Sequence, residues 1–108
     1  MVIVTRKHLA EAAIRHKDAA NEIAAWIAVV SQVRWKSFAE VRSTFPEADF
    51  VDGYVIFNIR HNRYRLITVI HYSRRLSGQM TQGHIYIRSF LMHAKYNDRK
   101  NWDKEYGR

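Results

Sequence analysis

The hydrophobic period of this chain changes once, at Gly53, and that change limits the fold more than any other feature. Before it, apolar residues recur at three- and four-residue steps, as a helix face requires; after it, β-branched and aromatic residues run in strand-length segments. A helical first half followed by strands predicts an α+β fold.

In the first half, Val2-Ile3-Val4 suits an edge strand, and Thr5 is placed to cap a helix running from Arg6 to about His16, with Leu9, Ala12 and Ala13 on one face. Asp18 can cap a second helix whose Ile23, Trp26, Ile27, Val30 and Val33 form a broad apolar stripe. The many alanines favour helix and close packing. Ser37 and Glu40 have the spacing of a capping box, so a third, short helix should run to about Thr44 and end at Pro46. Pro46 to Gly53 reads as an acidic loop.

The second half predicts three strands: Gly53–Ile59, Tyr64–Tyr72 and His84–Phe90. Arg60-His61-Asn62 should turn the first into the second, with Asn62 tolerating positive φ. The Tyr64–Tyr72 segment is nearly continuous in apolar character and should be central, covered on both faces. Ser73–Gly83 is polar with two glycines and reads as a flexible loop, whose Arg74 and Arg75 fit either rRNA contact or plain solvation. His93 to Trp102 suits a short terminal helix with fraying last residues. The expected architecture is a small twisted, mainly antiparallel sheet, two or three N-terminal helices on one face, and a short C-terminal helix. With 108 residues and no internal repeat, residues 1–108 are expected to form a single domain.

Charge divides the chain at nearly the same place. Residues 1–59 hold seven Lys/Arg against seven Asp/Glu, whereas residues 60–108 hold eleven against three, which accounts for the net charge of +8. A neutral half followed by a cationic half fits a scaffold presenting one positive face to a polyanion, or a basic patch covered by an acidic partner. An anionic membrane fits less well, because the basic residues do not line one long amphipathic helix. The absence of cysteine excludes disulfides, thiolate metal sites and cysteine nucleophiles. No signal-peptide pattern opens the sequence, and the longest apolar run, Ile23 to Val30, is too short to span a bilayer. The expected location is the cytoplasm.

Val55-Ile56-Phe57-Asn58-Ile59, Asn62, Tyr64-Arg65-Leu66-Ile67, Ile85-Tyr86-Ile87-Arg88 and His93-Ala94-Lys95-Tyr96 together resemble the HigB toxins of the RelE/ParE superfamily. Trp35, Phe45-Pro46 and Ala48-Asp49 fall where that pattern places them, and the similarity covers nearly the whole chain. The resemblance implies a RelE-like fold and a toxin of a type II toxin–antitoxin system. It further implies a ribosome-associated endoribonuclease that cleaves translated mRNA and is neutralised by a HigA-type helix-turn-helix antitoxin. In such toxins the RNA's own 2′-hydroxyl attacks the adjacent phosphate, so neither metal nor cofactor is expected. Two departures stand out. The usual Thr-His-Ala-Glu-Tyr-Asp reads Met92-His93-Ala94-Lys95-Tyr96-Asn97, which removes two carboxylates, and the loop before the last strand is longer than the family's tight connection.

Internal attack needs a proton acceptor, an acid for the departing 5′-oxygen and cations around the phosphorane. Histidine, with an ordinary pKa of ~6.5, and arginine, with its planar fork, supply these. Arg65 and Arg88 each interrupt an apolar strand, where a charge is costly unless it meets a ligand or a structural partner such as Glu40. His93 and Tyr96, three apart, should share a helical face; His93 would move protons while Tyr96 stacks on a base or orients the reactants. The competing account has His93 bonding to backbone and Tyr96 packing on the sheet. Arg60, His61, Arg63 and Lys95 are candidate phosphate contacts or solvated side chains. His71 suits a core histidine, while His8, His16 and His84 suit the surface. No metal-ligand spacing or Gly-rich phosphate loop is present. Two other functions fit the same fold: a ParE-like gyrase inhibitor and a non-catalytic RNA- or ribosome-binding module.

Overall fold

Pairing in the cationic half organises the molecule, whose computed structural model describes residues 1–102. Strand β1 (Val2–Val4) leads into α1 (Lys7–Arg15), a 3₁₀ turn at Lys17–Ala19, α2 (Ala20–Gln32) and α3 (Phe38–Thr44). Then come β2 (Asp49–Val51), β3 (Tyr54–Ile59), β4 (Tyr64–His71), β5 (Arg75–Leu76), β6 (Gln79–Met80) and β7 (His84–Met92), followed by α4 (His93–Tyr96) and a 3₁₀ turn at Arg99–Asn101. The main sheet has the order β1-β7-β4-β3-β2, with β4 at its centre as its apolar run predicts; only the β1–β7 pairing is parallel. This is an α+β architecture of the RelE-like kind.

Strand alternation sends two apolar sets to opposite faces. Val55, Phe57 and Ile59 of β3, Leu66 of β4, and Ile85 and Phe90 of β7 meet Leu9, Ile23, Trp26, Val30 and Val41 of the helices. Trp26, Trp35 and Phe45 all pack their rings against Phe57. On the reverse face Ile56, Ile67 and Leu91 form a smaller cluster covered by Trp102, with Tyr54 and Tyr96 beside it.

Several local expectations give way to specific contacts. Thr5 does not cap α1: its φ of 64° turns the chain out of β1, and Arg6 precedes the helix without a side-chain cap. Asp18 does not cap α2 either. The half-buried-to-buried surroundings of the Tyr64 hydroxyl require a partner, and Asp18 supplies it at 2.8 Å while also meeting Arg63 at 3.4 Å. Ser37 does cap α3, accepting from the Glu40 amide, and the Glu40 carboxylate reaches back to the Lys36 amide at 2.9 Å.

The predicted Pro46–Gly53 loop contains β2, because Asp52 (φ 50°) and Gly53 (φ 89°) make a two-residue hairpin with Val51 opposite Tyr54. In the β3–β4 turn the positive φ values fall on Arg60 (55°) and His61 (58°), not on Asn62. The Ser73–Gly83 loop is built around the small β5–β6 hairpin, turned at Ser77 and Gly78. Beyond α4 the chain does not fray at Trp102, which is 5 % exposed. His16 is half-buried, its ring 4.8 Å from Tyr64 and 5.5 Å from Phe90, and His8 is half-buried too, so neither is a simple surface residue. His71, expected in the core, is exposed with its ring against Tyr86; His84 is exposed as predicted.

Candidate active site

The candidate residues gather where the β3–β4 turn meets the end of β7. Tyr64 lies opposite Met92 and Arg65 opposite Leu91, so the start of β4 and the start of α4 are neighbours although about thirty residues separate them. One bond fixes this junction: the His93 amide donates to the Arg63 carbonyl at 3.0 Å. His93 therefore opens α4 directly beside the basic turn, with its side chain exposed.

Arg65 points to the reverse face of the sheet, the side away from the large helices, as the register with Leu91 and Asn58 requires. Its guanidinium donates to the Asn62 carbonyl at 3.1 Å and lies 3.5 Å from the Asn62 side-chain oxygen and from the Tyr64 carbonyl. It also lies over the Tyr96 ring, 5.1 Å from its centroid. Glu40, the proposed salt-bridge partner, is engaged at the start of α3 instead. Neutral carbonyls and a ring hold the guanidinium in place while leaving its charge uncompensated by them, which suits an anion-binding role.

Tyr96 is held from its other side. Its ring stacks on Trp102 at 5.0 Å and 11°, and the Trp102 indole donates to the Tyr96 carbonyl at 2.9 Å. Trp102 is in turn tied to β7 through the Ser89 hydroxyl, which donates to its carbonyl, and packs edge-on against Tyr54. Arg99 caps this group, 4.6 Å from the Trp102 centroid and 2.7 Å from Asp52. Burial, helped by Asp49, raises the Tyr96 phenol above its usual range, outweighing the lowering effect of Arg65 and Arg99. Its hydroxyl therefore stays protonated at neutral pH and can donate a hydrogen bond.

Arg88 occupies a distinct position. Ile67 pairs with Ser89 and Thr68 with Ile87, so Arg88 is the extra residue of a β-bulge. A bulge re-aims the side chain it carries, and Arg88 is half-buried, three residues before the partner of Arg65, or roughly 10 Å along the strand. Arg60, His61 and Arg63 are exposed on the turn. The Arg60 amide is anchored to Glu22 at 3.0 Å and the Arg63 guanidinium to Asp18, so this basic tip is docked onto the helical layer. The Asp18 carboxyl is held below its usual range chiefly by the Tyr64 hydroxyl; desolvation, the next-largest effect, opposes this, and Arg63, a backbone hydrogen bond and Arg60 add to the lowering. Lys95 is exposed; its carbonyl accepts from Asn101 at 2.9 Å.

The fold thus brings Arg63, Arg65, Tyr96 and the backbone of His93 together at one end of the sheet, puts Arg60 and His61 at the turn tip and Lys95 on α4, and sets Arg88 farther along the sheet. Sequence reasoning overlooked Asn62 as a guanidinium anchor, and Tyr54, Arg99 and Trp102 as the support of Tyr96. A lone tryptophan in a charged tail, three residues after an arginine, was the available signal.

A five-stranded, mainly antiparallel sheet with helices before it and a short helix after it, carrying the Arg65–Tyr96 pair at one end, is an α+β protein of the RelE-like class. Residues 19–99 match the family model HigB_toxin, the RelE-like toxic component of a toxin–antitoxin system, and the chain belongs to that family. Membership implies an antitoxin as its partner. Comparison with curated proteins gave no match.

Proposed function

We propose that the protein is a ribosome-dependent endoribonuclease that cleaves translated mRNA, acting in the cytoplasm as one toxin domain and silenced by a HigA-type helix-turn-helix antitoxin. The observation that carries this reading is the Arg65–Tyr96 pair beside His93 at the end of the basic β3–β4 turn. The RNA 2′-oxygen attacks the adjacent phosphorus as its proton leaves. The P–O5′ bond breaks, giving a 2′,3′-cyclic phosphate and, after protonation, a free 5′-hydroxyl.

Arg65 supplies positive charge to the pentacovalent phosphorane, and Arg88 supports that charge from the bulge. His93 moves a proton to or from the reacting oxygens. Tyr96, protonated, donates a hydrogen bond to a reacting oxygen; its ring faces are already covered by Arg65 and Trp102, so it does not stack on a base. Lys95 and Asn97 stand where the family carries carboxylates, so proton removal does not rest on those two positions. Arg60, His61, Arg63 and Lys95 hold the phosphate backbone without reading sequence. RNA brings its own nucleophile, so the chemical step itself calls for no metal on the toxin.

Expression without antitoxin tests the reading. Growth arrest with mRNA cut at ribosome-bound codons is the expected result, relieved by His93→Ala or Arg65→Ala in proteins that remain folded. Intact mRNA together with blocked gyrase would instead establish the ParE-like activity, and ribosome binding without any cleavage a non-catalytic module.

A further inference from the structure

The opposite end of β4 carries a second cationic feature that the cleavage site does not use. Arg65 and His71 are six residues apart on this strand, roughly 20 Å at strand rise. Around His71 opens a cleft of about 660 Å³ whose lining includes Lys36, Arg74, Thr81 and His84. None of the described lining residues is acidic. Its volume falls in the range of small-ligand pockets.

His71 and His84 are cross-strand partners on β4 and β7, so their side chains leave the same face of the sheet. Tyr86 sits with both: its ring is 5.0 Å from His71, edge-on, and 6.4 Å from His84, nearly parallel. Lys36 enters from the segment between α2 and α3, and Arg74 from the neck of the β5–β6 hairpin.

That neck is firmly built. The Arg74 amide donates to the Thr81 hydroxyl at 3.0 Å, and the Thr81 amide returns a bond to the Arg74 carbonyl at 2.8 Å. The Ser73 hydroxyl donates to the Thr81 carbonyl, and the Ser73 amide to the Trp35 carbonyl at 2.9 Å. Gly83 closes the neck with φ +73°; a Cβ there would lie 2.8 Å from the Ser73 nitrogen and 2.9 Å from the His71 oxygen. Arg74 is thereby held in place at the cleft wall by its backbone.

We propose that this cleft is a second, phosphate-binding site. Lys36 and Arg74 supply the charge and the Thr81 hydroxyl a hydrogen bond, while the His71 and His84 rings of the lining, backed by Tyr86, offer a stacking surface for an attached base. The phosphate belongs to a single-stranded polyribonucleotide or to a small free phosphate compound. Only the first source rests on the function proposed above.

The test uses the full chain and follows the ring resonances of His71 and His84 by NMR. The probes are inorganic phosphate and a short oligoribonucleotide with 2′-O-methyl sugars, which internal attack cannot cleave. Both are expected to move the two resonances, and Lys36→Ala combined with Arg74→Ala is expected to abolish the response without lowering Tm, since both side chains are exposed. For the oligonucleotide, the double variant should also flatten the log–log salt dependence of affinity by about 1.4, or about 0.7 for each lost phosphate contact. A response to inorganic phosphate alone keeps the site and assigns it to a free phosphate compound. No response to either probe overturns the proposal, as does a response only to an acidic peptide, which would make the cleft a protein-docking surface. Arg65→Ala should leave these shifts intact, so failure of the cleavage reading and failure of this one remain distinguishable.

Discussion

Replacing Trp102 tests whether the C-terminal segment positions Tyr96 or merely covers the sheet. Trp102 is 5 % exposed, stacked on Tyr96 and bonded to its carbonyl at 2.9 Å. Loss of a buried tryptophan side chain costs about 3–5 kcal/mol in a well-packed site. A domain of this kind has roughly 5–15 kcal/mol in total, so Trp102→Ala should fold yet melt well below the parent. At roughly 4 °C or more per kcal/mol, the Tm should fall by about 12 °C or more. Trp102→Phe keeps an aromatic ring against Tyr96 and loses chiefly one hydrogen bond, about 0.5–1.5 kcal/mol. If Trp102 positions Tyr96, cleavage by Trp102→Ala, measured well below its Tm, should drop to the level of Tyr96→Ala, and Trp102→Phe should recover most of it. Combining Trp102→Ala with Tyr96→Ala should add little further loss of activity. A Trp102→Ala protein that melts low but cleaves at the parent rate would refute the positioning argument, and one with an unchanged Tm would refute the packing argument as well.

Asp18 gives a pH-dependent outcome. Its folded pKa is lowered, so the stability it contributes is present above the unfolded value and is lost as pH falls through the folded one. Thermal melts should therefore show a smaller loss between neutral and acidic pH in Asp18→Asn than in the parent. Gly83→Ala should destabilise by more than about 1 kcal/mol in chemical denaturation, because both its φ and the two backbone atoms within 3 Å of the new Cβ oppose a side chain; a neutral result would mean that the neck of the hairpin yields easily. Tyr72→Phe should be neutral or stabilising, since its hydroxyl is buried with no hydrogen-bond partner among the described residues. A Tm loss of several degrees would reveal a partner for that hydroxyl.

The large-scale fold was legible because burial enforces period. The stripe of Ile23, Trp26 and Val30 and the apolar run Leu66–Ile70 can be satisfied only by covered faces, and both contribute to the core. Cap assignments at Thr5 and Asp18 failed for a different reason: they read a local preference where a distant group decided. Asp18 lies 46 residues from the Tyr64 hydroxyl it accepts from, and no local pattern reports that demand. The β2–β3 hairpin was within reach, since Asp52-Gly53 is a strong turn signal, but the acidic stretch around Pro46 obscured the three-residue strand before it. At the site, Arg65 was visible as a charge breaking an apolar strand. Its neighbours were not, because whether Asn62, Tyr96 or Glu40 receives the guanidinium depends on the turn and on the docking of the tail.

Turn and tail together suggest why the site sits where it does. Arg63 and Tyr96 belong to short elements, a hairpin tip with two left-handed residues and a single helical turn after β7, while Arg65 opens the central strand just beyond that tip. Each short element is secured by a tether to the ordered layers. Asp18 and Glu22 of the helical layer hold the tip through Arg63, Tyr64 and the Arg60 amide, while Ser89 holds the tail through Trp102. All of these tethers lie outside the groups proposed to touch RNA except Arg63 and Arg60, whose roles are therefore double. An RNA phosphate reaching Arg63 competes with Asp18 for the same guanidinium, and that competition is electrostatic and exposed to salt. Binding at the turn should thus be weaker than the local basic count implies, and Asp18→Asn should raise RNA affinity while lowering stability. Lowered stability with unchanged RNA affinity would show that Arg63 serves the helical layer alone.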